Sequence, residues 1–376
     1  MRYLLSAGGT AGHVYPALTV AARLLEGGHD EVLFVGTPGG LEAALVPQAE
    51  VPFTALPARG FDRSAPLSLP IALGVLAAST VRARRLVRSW GPDVVVGFGG
   101  YASIPVGLAA AATRTPLVLH EQNSVPGLAN RLLSRFAAAV GVTYPGSVPF
   151  LARPERASVT GNPVRESVLA ARREEARRSL GYTNDDLVLL VFGGSRGARH
   201  LNDAMLDLYE RLMVEPRLRV MHAAGRIGAA SVREKLAQRG GDPERYRVLD
   251  YIDDMGSALS AADLVIARAG ATSIAEVTAS GKPAVLVPYP YATDDHQTLN
   301  ARAVAAAGAG VAVADADLDS PLFAETVERL LADGGERRRM ADASAALGRP
   351  RAAEAVAEMA RAAAGRTRRR SRAEGE

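Results

Sequence analysis

The sequence has 376 residues, 48% of them hydrophobic, so it is long enough to form two domains with buried cores. Its 44 basic and 40 acidic residues leave a net charge of only +4, and aromatic residues make up 5%. We therefore expect no nucleic-acid partner, because the sequence lacks a basic stripe with interleaved aromatics. The absence of cysteine excludes disulfides, thiolate catalysis and cysteine-ligated metal centres.

The first predicted element is a β-strand at residues 1–7, which leads directly into a glycine-rich turn at residues 8–12. The apolar run is too short for the core of a secretory signal. A glycine-rich turn that opens a helix presents backbone N–H groups and the positive end of the helix dipole, which suit a phosphate. His13 follows this turn, and we interpret it as a base or phosphate donor rather than a simple cap.

Two stretches, residues 64–81 and 94–113, need comparison with a membrane span because neither contains a charged residue. Prolines interrupt the first, and glycines and a proline interrupt the second, so neither is expected to cross a bilayer. Apolar residues followed by arginines mark the first stretch, which fits either an interfacial membrane anchor or a core-facing helix with a charged end. These residues are Leu67, Leu69, Ile71, Leu73, Val75 and Leu76, followed by Arg82, Arg84, Arg85 and Arg88.

Short apolar runs, typical of strands buried on both faces, alternate with helical patterns along the chain. Both halves have a strand that leads into a glycine-rich turn, and then an aspartate and a serine ten positions apart (Asp93 and Ser103, Asp263 and Ser273). We infer a duplicated α/β unit whose parallel sheets carry ligand loops at the carboxyl ends of their strands. The apolar runs are 31–35, 93–96, 117–119, 187–191, 263–266 and 284–287.

The turn at residues 161–163 is the natural hinge between the halves. We predict one Rossmann-like domain at 1–160 and a second at 161–340, with ligand loops that line one cleft if the halves face each other. A helix at 341–364 is expected to pack back on the first domain. Composition predicts a disordered basic tail at 365–376.

Four glycine-rich turns on paired strands favour a ligand rich in phosphate. None is followed by the Gly-Lys-Ser/Thr of a P-loop, and the second strand ends at residues 34–37 without the acidic residue that NAD binding needs. Glu276 follows the fourth turn and could bind a vicinal diol, although a solvent-exposed helix glutamate explains it equally well. The turns are at 8–12, 97–100, 193–197 and from 270 onward.

Polar residues cluster at the end of a predicted strand at residues 120–123, where packing alone gives no reason for them. This placement favours a functional site over a polar loop. His120 and Glu121 are adjacent and point to opposite faces of a strand. Because no other set of histidines and carboxylates has metal-ligating spacing, we predict no metal site.

Taken in order from residue 3 to about 360, these motifs resemble the MurG family of bacterial N-acetylglucosamine transferases. The resemblance implies an α/β GT-B fold, in which two Rossmann-like parallel-sheet domains face a central cleft. It also implies inverting, metal-independent chemistry without a cofactor. The motifs are residues 8–16 (GGTAGHVYP), 97–103 (GFGGYAS), 120–123 (HEQN) with Pro126, Gly127 and Asn130, 161–165 (GNPVR), 193–195 (GGS), 252–255 (IDDM) and 295–297 (DHQ).

The resemblance also implies substrates and a location. N-acetylglucosamine would pass from UDP-N-acetylglucosamine to the C4 hydroxyl of the muramoyl sugar of lipid I (undecaprenyl-pyrophosphoryl-N-acetylmuramoyl pentapeptide), forming lipid II for peptidoglycan. The first domain would serve the acceptor and the membrane, and the second the UDP-sugar. The protein would lie at the cytoplasmic face of the plasma membrane, peripherally bound to its anionic surface.

Residue roles carried over from the resemblance divide between the two domains. The expected catalytic base is His13, with Glu121 as the competing candidate or its orienting partner. The expected substrate contacts are Thr10, Ala11 and Gly12 at the cleft; Asn123 and Gln297 on the donor sugar; Arg165 and Ser195 on the donor phosphates; the backbone of Ile252 on the uracil; and Ala271, Thr272, Ser273, Ile274, Ala275 and Glu276 on phosphate and ribose.

The sequence departs from the family pattern at two positions, where Ala11 replaces a glycine and Arg196 replaces a glutamine. A methyl at residue 11 is tolerable if its backbone φ stays negative. Other interpretations are a GT-B transferase with a different acceptor, a UDP-N-acetylglucosamine 2-epimerase, or a non-catalytic nucleotide-sugar-binding module. The motifs at 120–123 and 161–165 favour the transferase over the epimerase, and the candidate catalytic residues speak against the binding module.

Overall fold

In the computed structural model the described residues are 1–58, 69–194 and 197–373, with side chains described in these ranges except at residue 69 and from residue 367. Ser195, Arg196 and Leu67 therefore lie outside the described residues. Within the described ranges, contacts divide the chain into two units. Unit 1 comprises Met1–Val164 and the segment from Pro350, and unit 2 comprises Arg165–Arg349.

The elements follow the alternation of strands and helices that the sequence predicts. The strands are β1 Arg2–Ser6, β2 Glu31–Gly36, β3 Phe53–Ala55, β4 Val94–Gly97, β5 Leu117–Glu121, β6 Ala139–Val142, β7 Ala157–Val159, β8 Leu187–Phe192, β9 Leu218–Ala223, β10 Tyr246–Leu249, β11 Leu264–Arg268, β12 Ala284–Val287 and β13 Gly310–Ala312. The helices are α1 Ala11–Leu25, α2 Glu42–Gln48, α3 Leu69–Trp90, α4 Ser103–Thr113, α5 Leu128–Leu133, α6 Glu166–Ala170, α7 Arg173–Leu180, α8 Arg199–Asp207, α9 Tyr209–Leu212, α10 Ala229–Gln238, α11 Met255–Ala261, α12 Ala271–Ala279, α13 His296–Ala306, α14 Pro321–Ala332, α15 Gly334–Leu347 and α16 Ala352–Ala373.

Unit 1 is built on a parallel sheet whose described strands have the order β3-β2-β1-β4-β5-β6-β7. Successive side chains of β1 face opposite layers, as the period of a strand requires. Tyr3 and Leu5 pack in the core with α1 and α16, whereas Leu4 packs in the core with α3 and α4. Burial on both faces explains why the strands appear in the sequence as nearly continuous apolar runs.

Unit 2 repeats this arrangement with a parallel sheet whose described strands have the order β10-β9-β8-β11-β12-β13. The strand order reverses direction beside β8, just as it does beside β1 in unit 1. In open parallel sheets, ligands bind beyond the carboxyl ends of the strands at such a switch point. Both units therefore present the loop after their first strand at a position suited to a ligand.

The C-terminal part of the chain contributes to both units. Helix α15 lies in unit 2, and α16 belongs to unit 1, where it contacts α1 and the central strands. The sequence analysis expects disorder from residue 365, whereas α16 continues to Ala373. Alanine and arginine both favour the helix, and this composition outweighs the charge density of the tail.

The described residues contain neither a helix that could span a membrane nor a cluster of side chains that could hold a metal ion. In that part of the chain, no helix is both long and apolar enough to cross a bilayer. The same residues contain no group of three or more histidine, aspartate or glutamate side chains arranged to hold a metal ion.

Candidate functional site

The loop after β1 fixes the orientation and the proton of His13. Gly9 has a φ of +88°, which turns the chain so that α1 begins at Ala11 with Thr10 as its N-cap. The His13 Nδ1 atom lies 3.2 Å from the Gly8 carbonyl oxygen and 3.0 Å from Thr10 Oγ1. A carbonyl oxygen only accepts, so the Gly8 contact favours the tautomer with the imidazole proton on Nδ1 and the lone pair on Nε2.

The substitution at residue 11 is compatible with this loop. Ala11 is the first residue of α1 and is absent from the described non-glycine residues with positive φ. Its methyl group therefore causes no backbone strain. Gly12 occupies the next helical position, so the three expected cleft residues, Thr10, Ala11 and Gly12, share one helix start.

Glu121 ends β5 and is 2% exposed. Its carboxyl oxygens accept hydrogen bonds from the backbone N–H groups of Asn123 (3.0 Å) and Gly127 (3.1 Å) and from Asn130 Nδ2 (2.8 Å). Burial raises the pKa of Glu121 above its usual range, and these hydrogen bonds oppose that rise. The carboxyl therefore ties the loop that contains Asn123 to the first turn of α5, which contains Asn130.

Gly99 brings the environments of the two catalytic candidates together. A Cβ atom on this residue would lie 3.1 Å from His13 Cδ2 and 3.6 Å from Asn130 Nδ2, so both side chains border Gly99. The same Asn130 amide donates to Glu121. His13 and Asn130 thus both border Gly99 at the carboxyl edge of one sheet, and Asn130 in turn binds Glu121.

His120 has a structural role. Its side chain is fully buried, and its Nε2 atom donates to the Gly161 carbonyl at 2.9 Å. Burial lowers the pKa of His120 to about 4, so the ring is neutral near pH 7. The hydrogen bond connects the end of β5 to the turn that precedes unit 2.

In unit 2, Arg165 and Glu276 form an ion pair. Glu276 lies in the second turn of α12, is 4% exposed, and accepts from Arg165 Nε at 2.8 Å. Burial raises the pKa of Glu276, and the neighbouring guanidinium opposes the rise. Arg165 is expected on phosphate and Glu276 on ribose, and in the structure the two side chains bind each other.

Helix α12 carries the whole segment expected to meet phosphate and ribose. Gly270 is its N-cap in an extended conformation, so the N–H groups of Ala271, Thr272 and Ser273 lie in its first turn. Backbone N–H groups at a helix start, together with the positive end of the helix dipole, suit an anion such as a phosphate. Ile274 and Ala275 are buried and anchor the helix in the unit.

Two further expected donor contacts lie at the same edge of unit 2. Ile252 follows β10 and is 7% exposed, so its buried side chain anchors the backbone that is expected to contact the uracil of the donor. Gln297 is in the first turn of α13, and its Oε1 atom accepts from the Tyr289 N–H at 3.0 Å. Asp294 and Asp295, just before it, both have φ near +50° (52° and 51°), a costly conformation for non-glycine residues that is enriched at functional sites.

Sequence reasoning missed two groups of charged residues. Arg268, the last residue of β11, pairs with Asp315 at 2.5 Å, and Asp315 also contacts His200 Nδ1 at 2.9 Å. A cation that ends an otherwise apolar strand was a signal for this cluster. Glu42 is fully buried beside the first glycine-rich turn, and nothing in its helical sequence context indicated that position.

Comparisons with known proteins agree with this geometry. The two Rossmann-like parallel-sheet units are those of the GT-B fold, the fold of glycosyltransferases such as MurG. Residues 3–142 match the glycosyltransferase family 28 N-terminal domain, and residues 188–356 match the glycosyltransferase family 28 C-terminal domain. The chain belongs to glycosyltransferase family 28 and, within it, to the MurG transferases.

Individual relatives support this membership. The UDP-N-acetylglucosamine--N-acetylmuramyl-(pentapeptide) pyrophosphoryl-undecaprenol N-acetylglucosamine transferase of Desulforudis audaxviator is 41% identical, over 97% of this chain and 99% of its own. The crystal structure of Acinetobacter baumannii MurG matches with a TM-score of 0.76 and 30% identity, over 96% of this chain and 99% of that one. A putative UDP-N-acetylglucosamine 2-epimerase from Listeria monocytogenes has a TM-score of 0.69 but 16% identity, over 94% of each chain, and supports the fold alone.

Proposed function

We propose that the protein transfers N-acetylglucosamine from UDP-N-acetylglucosamine to the C4 hydroxyl of the muramoyl sugar of lipid I, with inversion and without a metal ion, to form lipid II. The observation that carries this proposal is the 41% identity, over 97% of the chain, to the N-acetylglucosamine transferase of Desulforudis audaxviator described above. The candidate site supports it, because unit 2 offers groups for a nucleotide diphosphate and unit 1 offers a base.

Unit 2 would bind the donor. The N-terminus of α12 would receive a phosphate, and Glu276 would bind the ribose diol. Arg165 would stabilise the charge that grows on the leaving diphosphate, a task for preorganised donors and cations. Since Arg165 and Glu276 are 2.8 Å apart, phosphate and ribose would be bound side by side. Gln297 and Ser195 of unit 2 remain proposed contacts of the donor, as does Asn123 of unit 1, and Ile252 remains a proposed contact of the uracil.

His13 of unit 1 would act as the base. Its Nδ1–H donates to the Gly8 carbonyl, and Nε2 would take the proton of the acceptor hydroxyl. As that oxygen forms its bond to the anomeric carbon, the bond from this carbon to the β-phosphate oxygen breaks. The electron pair then leaves on UDP, and the proton passes from His13 to solvent.

Glu121 would act as a positioning residue. Two backbone N–H groups and the Asn130 amide donate to its carboxyl oxygens, so most of the lone pairs that a base needs, three of about four, are already engaged. Its hydrogen bonds fix the loop of Asn123 and the side chain of Asn130 beside His13. These contacts favour His13 over Glu121 as the base.

Helix α3 would bring unit 1 to an anionic membrane surface. Its described apolar residues Ile71 (58%), Leu73 (55%) and Val81 (53%) are exposed, and Arg82, Arg84, Arg85 and Arg88 are exposed on the following turns. Exposed apolar side chains next to arginines are typical of an interfacial anchor. Peripheral attachment at the cytoplasmic face of the plasma membrane would give the enzyme access to a lipid-linked acceptor.

The proposed reaction can be tested by transfer of radiolabelled N-acetylglucosamine from its UDP donor to a lipid I analogue with EDTA present. We expect labelled disaccharide-lipid at the rate measured without EDTA. Release of free sugar or of an epimer, without transfer, would contradict the proposal and favour an epimerase. Loss of transfer in EDTA that Mg²⁺ restores would contradict metal independence alone.

A further inference from the structure

Glu42, to which sequence analysis assigns no role, lies buried against the loop that carries His13. It is the first residue of α2, and its side chain is 0% exposed. Its Oε1 atom accepts from the Thr37 N–H (2.8 Å) and Thr37 Oγ1 (2.7 Å), and its Oε2 atom accepts from the Gly9 N–H at 3.4 Å. A carboxyl is costly to bury, so packing alone does not account for this position.

Three glycines from three chain segments provide the space for this carboxyl. A Cβ atom would lie 2.6 Å from Glu42 Oε1 at Gly8, 2.3 Å from Glu42 Cγ at Gly36, and 2.3 Å from Glu42 Oε2 at Gly40. Each distance is far shorter than van der Waals contact. The glycines after β1, at the end of β2 and before α2 therefore enclose one acidic side chain.

Gly8 connects this carboxyl to the proposed base. Glu42 lies against the Cα atom of Gly8, and the carbonyl oxygen of Gly8 accepts from His13 Nδ1 at 3.2 Å. The next residue, Gly9, donates its N–H to Glu42. The position of the carbonyl that sets the His13 tautomer thus depends on contacts with Glu42.

We propose that Glu42 is a positioning residue for the transfer reaction. By binding Gly9 and Thr37 together, it fixes the Gly8 carbonyl, which holds the proton on His13 Nδ1 and the lone pair on Nε2. This inference rests on the proposed function for the catalytic step, while the effect on the His13 tautomer is independent of it.

The test uses Glu42→Gln in the full chain. The amide keeps an oxygen for Thr37 but turns an N–H donor toward the Gly9 N–H, so the loop shifts. Because small misplacements of a catalytic group cost up to about 100-fold, we expect kcat to fall roughly 10- to 100-fold. The KM for UDP-N-acetylglucosamine should stay within about twofold, since unit 2 binds the donor.

A second variant displaces the Glu42 side chain by a substitution at Gly40. In Gly40→Ala the added methyl group meets the carboxyl, whereas in the matched control Gly39→Ala no atom lies within 4 Å of it. We expect Gly40→Ala to reproduce the loss of kcat and Gly39→Ala to retain wild-type turnover. This pair keeps the test decisive if Glu42→Gln does not fold.

The tautomer of His13 is measured separately by ¹⁵N NMR of histidine-labelled protein, with His13→Gln used to assign its signal. We expect a predominantly Nδ1–H tautomer in the wild type and a mixture in Glu42→Gln and Gly40→Ala. An unchanged His13 signal, or a loss of kcat that only follows the unfolding midpoint, would overturn the proposal. A changed signal with a His13→Ala variant that retains turnover would support positioning and refute the assigned base.

Discussion

The loops after the first strand of each unit have similar sequences but different surroundings. In unit 1, Gly8 and Gly9 lie against the buried Glu42 carboxyl, which already takes an N–H of the loop. In unit 2, Gly193 instead packs against Ala198, and Gly197 against the backbone of residue 224. The first loop is thus held by a buried carboxyl, whereas the described part of the second is held by contacts with Ala198 and with backbone atoms, including a hydrogen bond from the Gly197 N–H to the Gly194 carbonyl at 2.9 Å.

The charged residues near the two sites follow the same division. Unit 1 combines a histidine with buried carboxyls, and such groups are suited to general acid–base catalysis. Unit 2 combines a helix N-terminus with the Arg165–Glu276 pair, which is suited to a diphosphate next to a diol. The two units therefore share one kind of sheet but differ in the charged groups near the carboxyl ends of their strands.

The largest expected effect is on kcat, from substitutions of the proposed catalytic and positioning residues of unit 1. His13→Ala should lower kcat by about 10²- to 10⁴-fold, because the general base is lost, while the KM for UDP-N-acetylglucosamine stays nearly constant. Added imidazole should restore part of the rate. Glu121→Ala should also lower kcat, but added formate should not restore it. If His13→Ala keeps wild-type turnover while Glu121→Ala has none, the roles of these residues are reversed.

The second effect is on donor binding in unit 2. Arg165→Ala removes a charged hydrogen bond and leaves Glu276 buried without its cation, so the Kd for UDP should rise by about 10- to 100-fold. Isothermal titration calorimetry measures this change. Arg165→Lys keeps the charge but loses the guanidinium geometry, so its Kd for UDP should lie between those of the wild type and of Arg165→Ala. A variant with wild-type affinity for UDP would contradict the donor role of Arg165.

A smaller effect is expected on membrane binding, which we assign to unit 1. Reversing two exposed arginines of α3 (Arg84→Glu with Arg85→Glu) should weaken flotation with anionic vesicles by about tenfold or more, since each basic residue near the surface contributes roughly 1 kcal/mol. The matched control reverses Arg338 and Arg339, which are exposed on α15 of unit 2. Equal losses in both variants would indicate a general charge effect.

The smallest effect is on the stability of unit 2. The hydrogen bond to Asp315 raises the pKa of His200, burial opposes the rise, and Asp319 adds to it. Since the folded-state pKa lies above the unfolded value, the cluster contributes fully below about pH 6.5, and its contribution is lost as the pH rises through the folded-state value. His200→Gln should therefore lower the urea midpoint most at low pH.

The control for this last experiment is His29→Gln, because His29 is exposed in unit 1. We expect this substitution of an exposed side chain to change the urea midpoint little. A destabilisation by His200→Gln that grows with pH would contradict the assigned direction of the pKa shift.

Much of the fold could be predicted, because buried parallel strands such as β4 and β8 are uninterrupted apolar runs followed by glycine. The polar cluster at 120–123 could also be found, since packing does not explain it. The Arg165–Glu276 pair could not be found in this way, because 111 residues separate its members and only tertiary structure brings them together. Glu42 could not be recognised either, because a glutamate at a helix start is usually solvent-exposed.

Helix α16 has a consequence for the order in which the chain folds. Ala353, Val356, Ala357, Ala360, Ala363 and Ala364 complete a core that otherwise consists of residues from the first third of the chain. Domains commonly fold in N-terminal order as they leave the ribosome. Here unit 2 ends at Arg349, whereas the first part of unit 1 must wait for α16, which is synthesised after unit 2. The loop of His13 therefore belongs to a unit whose synthesis begins before that of unit 2 and is completed after it.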